Sequence, residues 1–314
     1  MKYKFITILH NLKLNQQMNK GIELYPGTRI SNGKEKLSSF INTNLFARTA
    51  GQHSYSEFED KVYCYKVGEY KEIESKGNMV TFHFLREIEQ FIHALWYVKD
   101  NSIYIRDGFL FFYEDDIENG VTYKASLSTM YTSSDGSRSE TYFSKEEVSS
   151  ALSYFTPFTL EEINEETFGG KYVENDHFYK KANLKRHERV KYFVVAARAT
   201  NALPMKIVMY CTALECLFST GSTEIVHKIS ERVAVLLGKT ADEKIEIFDF
   251  VKKAYNYRST VIHGSAIKAD NGGLLEISMG LDQILRQFLL MEDHEVFKVE
   301  ERELDSYLSR LLFE

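Results

Sequence analysis

Two residues near the end of one helical stretch could do chemistry together. In "YNYRSTVIHG" (255–264), Arg258 and His263 stand five residues apart and a glycine follows. A guanidinium offers a planar fork that matches phosphate oxygens. An imidazole transfers protons near neutral pH. The pair therefore suits a phosphate ester whose neighbouring oxygens must gain or lose a proton. A plainer origin is also open, because arginine and histidine often satisfy the last carbonyls of a helix.

The stretch closes a helical pattern over 240–264, opened by Thr240 and Glu243 in capping-box spacing. Ile245, Phe248, Val251, Tyr255 and Ile262 form one apolar stripe on it. Arg258 and His263 flank that stripe on opposite margins, about 140° apart on an ideal helix. One regular helix cannot turn both onto one small ligand. Either the helix breaks near His263, which Gly264 permits, or a second copy supplies the partner. A two-fold dimer along the stripe would gather two arginines and two histidines in one cleft.

The elements that must position this stretch are helical. From about residue 174 onward the chain reads as almost all helix, with patterns over 176–203, 205–218, 223–238, 240–264, 274–291 and 295–313. Pro204 falls in a first turn, where proline is tolerated. Gly238 suits a helix end. Upstream, residues 144–173 read as a helical connector. Ser144 with Glu147 and Thr159 with Glu162 form capping boxes, Pro157 ends the first helix and Gly169-Gly170 breaks the second.

The first 143 residues read mainly as strands. The segments 2–9, 61–67, 79–85, 102–107 and 108–114 are rich in β-branched and aromatic residues. "ENG" (118–120) suits a hairpin. One helix, 86–98, carries Ile88, Phe91, Ile92 and Leu95 at helical spacing. The polar run 128–144 reads as an exposed loop. The fold class expected is α+β: a β-rich domain over 1–143, a connector over 144–173 and an all-α bundle over 174–314.

Composition narrows the rest. The chain has 314 residues and a net charge of −6, so overall charge does not draw it to nucleic acid. A local basic patch must serve instead, and the densest run is Lys180, Lys181, Lys185, Arg186, Arg189 and Lys191. That run could steer RNA phosphates or simply be the solvated face of a helix. Glu215, among apolar neighbours, reads first as a structural ion pair and otherwise as a carboxylate orienting Arg258. Arg232 reads as a partner for a carboxylate, and His227 as a surface or packed histidine. Cys64, Cys211 and Cys216 form no CxxC pair, which points away from disulfides or zinc and towards a reducing cytoplasm. His83, His93 and Trp96 show no metal spacing, and "SNGKEK" (31–36) is no phosphate loop but a turn at Asn32-Gly33. "MKYKFITILHNLKL" is too short and interrupted for a signal peptide. No run of roughly eighteen apolar residues suggests a membrane span.

"RSTVIHG", together with "TALECLFSTGSTEIVHKISERVAVLLG" (212–238) and its "ALE-x-LF" and "R-x-A-x-LLG" patterns, resembles the HEPN family, in particular its ApeA-like subgroup. The resemblance covers roughly residues 174–314. It implies a helical bundle that dimerises, with paired R-x4-6-H motifs forming one cleft. It implies a metal-independent endoribonuclease of prokaryotic antiphage or abortive-infection defence, a toxin acting on RNA. Arg258 and His263 fall on the two motif positions, and Ser259 on the polar position after the arginine. His263 would then move the proton of the ribose 2′-OH and Arg258 would hold the phosphate, with no cofactor. The β-rich half would sense a phage-derived trigger or bind an inhibitory partner. Some relatives carry a tyrosine two residues after the histidine. This chain has Ser265 there, which argues against control by tyrosine adenylylation. The alternative is a non-catalytic HEPN-like module that binds RNA, a nucleotide or a protein.

Overall fold

The computed structural model describes residues 1–69, 76–156, 185–221, 223–264, 271–291, 293–300 and 302–313. The chain divides into two compact units. Unit 1 is Met1–Tyr131 with Arg138–Tyr172, and unit 2 is Thr132–Ser137 with Val173–Glu314. A β-sheet region is thus followed by a mostly helical one.

Unit 1 is built on β1 (Lys2–Ile8), β2 (Leu12–Leu14), β3 (Ile22–Tyr25), β4 (Thr28–Ser31), α1 (Lys34–Ile41), α2 (Asn44–Glu57), β5 (Tyr63–Glu69), α3 (Gly77–Val98), β6 (Asp107–Tyr113), β7 (Val121–Ser126), β8 (Thr141–Phe143) and α4 (Lys145–Ala151). Six strands form one sheet in the order β3-β4-β5-β1-β6-β7. Every pairing in it is antiparallel. β2 and β8 make a separate parallel pair.

The sheet is covered on both faces, which is why β1 and β6 read as near-continuous apolar runs rather than alternating ones. Ile6, Ile8, Tyr63, Tyr65, Phe109 and Phe111 pack with Phe40 and Ile41 of α1, Phe46 of α2 and Phe58. Phe5, on the opposite face by strand alternation, meets Phe84 of α3 at 5.3 Å between ring centroids.

Two strand expectations fail in informative ways, and one helical region is unexpected. Residues 79–85 are helical, inside α3, despite their β-branched and aromatic content. Val80, Phe84, Ile88, Phe91, Ile92 and Leu95 are buried at helical spacing, so the period wins over propensity. Residues 102–106 bury Ile103 and Ile105 but form no strand, with Tyr104 making an isolated bridge to His10, and Asp107 opens β6. Residues 34–57 carry two helices that composition did not suggest, although Thr43 marks the start of α2 by accepting from the Phe46 amide at 3.0 Å. Asn32-Gly33 leads into α1, with Gly33 as its N-cap. The β6–β7 hairpin and the Ser144–Glu147 capping box stand as expected. Thr159, Glu162 and Gly169-Gly170 lie outside the described residues.

The run 128–144 is not simply exposed. Tyr131, Thr132, Ser133 and Ser134 are buried. Thr132 donates its amide to the Arg198 carbonyl at 2.8 Å and its hydroxyl to that of Thr200 at 2.6 Å. Short polar side chains here satisfy the end of a helix, a use that composition cannot tell from solvent exposure.

Unit 2 comprises α5 (Arg186–Arg198), α6 (Leu203–Phe218), α7 (Ile225–Leu237), α8 (Ala241–Ile262), α9 (Asn271–Leu290), α10 (Glu295–Lys298) and α11 (Leu304–Arg310). α6 is apolar around most of its circumference and packs against α5, α7, α8 and α9, as a central helix must. Pro204 sits in its first turn. Gly238 ends α7 with a negative φ of −79°. Space, not handedness, selects it, because a Cβ there would stand 2.7 Å from Lys244 Cγ. The segment 295–313 forms two short helices rather than one, since Val299 is extended.

Candidate functional site

The site grows from α6 and α8. Thr240 caps α8 by accepting from the Glu243 amide at 3.2 Å. The other half of the expected capping box differs: the Glu243 carboxylate takes the Lys239 amide at 2.7 Å. Along α8, Val251, Ala254 and Tyr255 are buried, while Ile245 and Ile262 are 60% and 51% exposed. The apolar stripe is therefore covered only at its centre in the single chain.

Tyr255 donates its hydroxyl to the Cys211 carbonyl of α6 at 3.0 Å. Burial pushes its phenol well above the ordinary range. Three residues further along α8, Arg258 reaches Glu215, four residues further along α6, with Nη2 to Oε1 at 3.3 Å. The two contacts run in step because residues three and four apart share a helix face. The Arg258 side chain remains 30% exposed and that of Glu215 23%. Arg258 Nε is buried and has no hydrogen-bond partner among the described residues. Burial also raises the Cys211 thiol to about 12, with Arg258 acting in the opposite direction. Glu215 is thus an ion-pair partner of Arg258, and both sequence readings of it share this geometry.

His263 is the C-cap of α8, with φ −82° and ψ 4°. Its side chain is exposed. No side-chain hydrogen bond or ion pair engages it among the described residues. The break comes one residue later, at Gly264, whose φ of 66° is a left-handed conformation that favours glycine. The helix is regular through Ile262, so Arg258 and His263 keep their divergent directions within one chain. Ser259 is exposed, and its carbonyl accepts the His263 amide at 3.1 Å.

The basic run does not form one solvated face. Lys185 and Lys191 are exposed, and Arg186 is half-buried. Arg189 turns inward. Its Nε is buried without a hydrogen-bond partner among the described residues, and its charge acts on the Cys216 thiol of α6. Burial is the larger influence on that thiol and raises it, Arg189 lowers it, and Glu215 raises it. Arg258 of α8 thus acts on the Cys211 thiol and Arg189 of α5 on the Cys216 thiol, both on α6. The available signal was position: Arg189 flanks the buried row His187, Val190, Val194 and Ala197 on α5. Lys180 and Lys181 lie outside the described residues, as does Ser265.

The remaining candidates have other roles. Arg232 is buried and bonds the Phe218 carbonyl, Thr220 and Asp305, as a carboxylate partner should. His227 is exposed, 3.7 Å from Glu231 and edge-on to Phe248. Trp96 is buried, and His93 lies 3.3 Å from the Tyr131 hydroxyl. Among the described residues, no group of His, Cys, Asp and Glu could hold a metal ion, and no helix is long and apolar enough to cross a membrane.

No family model, curated protein or solved structure matches this chain.

Proposed function

We propose that this chain is a HEPN-type endoribonuclease of an antiphage or abortive-infection system in the cytoplasm, active as a homodimer. The observation that carries the reading is the anchored Arg258. Glu215 holds its guanidinium at one edge while about a third of the side chain remains exposed, and His263 stands unengaged at the end of the same helix.

The chemistry needs only these groups and the RNA. The ribose 2′-oxygen attacks the adjacent phosphorus as an imidazole of His263 takes its proton. Arg258 stabilises the charge gathering on the phosphate oxygens. The bond from phosphorus to the 5′-oxygen breaks, and that oxygen takes a proton from a second imidazole or from water. The products are a 2′,3′-cyclic phosphate and a 5′-hydroxyl. Pairing of two chains along α8, where Ile245 and Ile262 are uncovered, would add a second Arg258 and His263 to the cleft. The sheet-bearing unit 1 would regulate or sense. The non-catalytic binding reading has one observation in its favour, since Glu215 already occupies part of the guanidinium.

The test is cleavage of a mixed RNA pool by purified protein. Arg258→Ala and His263→Ala should each lower the rate by about a hundredfold or more. The products should carry cyclic phosphates, and a 2′-deoxy substitution at the cut should block the reaction. Equal cleavage by wild type and both variants sinks the proposal. RNA binding without turnover replaces it with the non-catalytic reading.

A further inference from the structure

Unit 1 contains a cleft of about 510 Å³ that the R-x4-H chemistry leaves unused. Lys20, Arg29, Glu35, Lys36 and Tyr65 line it. Its volume falls in the range of small-ligand sites, roughly 300–1,000 Å³. Three cations therefore face one carboxylate in a chain whose net charge is −6. A local surplus of this sign, against the sign of the whole, calls for a specific account.

Arg29 and Lys36 are held in place, and the Lys20 backbone is fixed beside them. Arg29 donates to the Lys20 carbonyl at 3.1 Å and to Glu23 at 2.7 Å. The Tyr65 hydroxyl donates to the same Lys20 carbonyl at 3.3 Å. The Lys36 ammonium lies 4.9 Å from the centroid of the Tyr65 ring and 5.7 Å from that of Phe40. Aromatic faces attract it there without neutralising it. Glu23 offsets Arg29, but among the described residues no carboxylate pairs with Lys20 or Lys36. Lys4 adds to the surplus, since its ammonium lies 5.4 Å from the same Phe40 ring. Burial first, and the charge of Lys36 second, hold the Lys4 ammonium below its ordinary range. Two ammoniums thus share one aromatic ring beside an open cleft, and a bound anion would relieve their repulsion.

We propose that this cleft binds a small phosphorylated ligand of nucleotide size, with Lys20 and Lys36 contacting its phosphates and Arg29 bracing the wall. Uncompensated ammoniums in a site open to solvent suit phosphate, whose charge remains on its oxygens. Two such cations favour a ligand with at least two negative charges. The site lies wholly within unit 1 and stands independently of the proposed nuclease centre.

The experiment is calorimetric titration of the full chain with ATP, pyrophosphate and adenosine at low salt, repeated at higher salt. ATP or pyrophosphate should bind with one site per chain and weaken as salt rises, and adenosine should bind far more weakly. Lys20→Gln should weaken binding about tenfold, and the Lys20→Gln/Lys36→Gln pair about a hundredfold. Lys20 is exposed, so its single variant keeps the test valid if the pair misfolds. Absence of saturable binding by both phosphorylated probes overturns the proposal. So does binding that neither variant changes, or adenosine bound as tightly as ATP.

Discussion

Two buried cations, Lys66 of unit 1 and Arg232 of unit 2, keep different company. In unit 1, Lys66 on β5 meets Glu87 of α3 at 2.9 Å, with side chains only 9% and 1% exposed. In unit 2, Arg232 is 5% exposed, but its carboxylate, Asp305, is 57% exposed. Arg232 also bonds the Phe218 carbonyl at the end of α6. A sheet covered on both faces has no free backbone acceptor to offer a buried cation, because its carbonyls serve the ladder. A helical bundle ends its helices internally, and each end leaves carbonyls that a cation can take. Lys66 is therefore held by an interior ion pair and Arg232 caps a helix end, although unit 2 also has an interior pair, Arg286 with Asp282.

That contrast can be broken by mutation. The largest effect should come from Lys66→Met, which removes the ammonium that offsets the buried Glu87 carboxylate and should cost about 3–5 kcal/mol. Lys66→Met with Glu87→Leu should recover more than half of that. Chemical denaturation, with hydrogen exchange to assign the loss to unit 1, measures both. A double variant no more stable than the single one removes the interior-pair account. Arg232→Met should cost less, about 1–3 kcal/mol, because water can solvate the exposed Asp305 left behind. Its loss should appear in hydrogen exchange at the end of α6. A cost matching that of Lys66→Met would erase the distinction between the two cations.

The smallest effect separates the units by pH. His10 in unit 1 stacks on Tyr104 at 4.6 Å between centroids. Its imidazole lies below the ordinary value of 6.5, first because of burial. Glu57 and Asp107 oppose the shift, and Arg106 and Lys61 assist it. The unfolded chain then binds the proton more readily than the folded one. Stability is therefore fully present above pH 6.5 and declines as pH falls from there through the depressed folded value. Denaturation midpoints of wild type and His10→Gln should diverge in that window, with the wild type losing more. Parallel slopes would remove His10 as the source.

Sequence periodicity was most legible where one face of one helix carried the information. The burial of Ile88, Phe91, Ile92 and Leu95, the Ser144–Glu147 box and the start of α6 at Pro204 all belong to that kind. Residues 79–85 misled because their side chains favour strands, whereas α3 needs their helical spacing to cover the sheet. At the candidate site, the Arg258 and His263 spacing was readable along the chain. Arg189 was readable only as one cation among six, since its inward turn depends on where α5 lies against α6.

The sequence alone determined that α8 is a helix with a cap at Thr240 and that Arg258 and His263 diverge along it wherever it stays regular, and it left open a break near His263. These follow from bonds and rotations within a few neighbouring residues. Only the tertiary structure decided that Glu215 holds Arg258, that Arg189 lies near enough to act on Cys216 of α6, and that Lys20, Arg29 and Lys36 share a cleft. Those partners are distant in the chain. Their meeting depends on which helix and strand faces are buried together, a choice made by packing the whole core rather than by local preference.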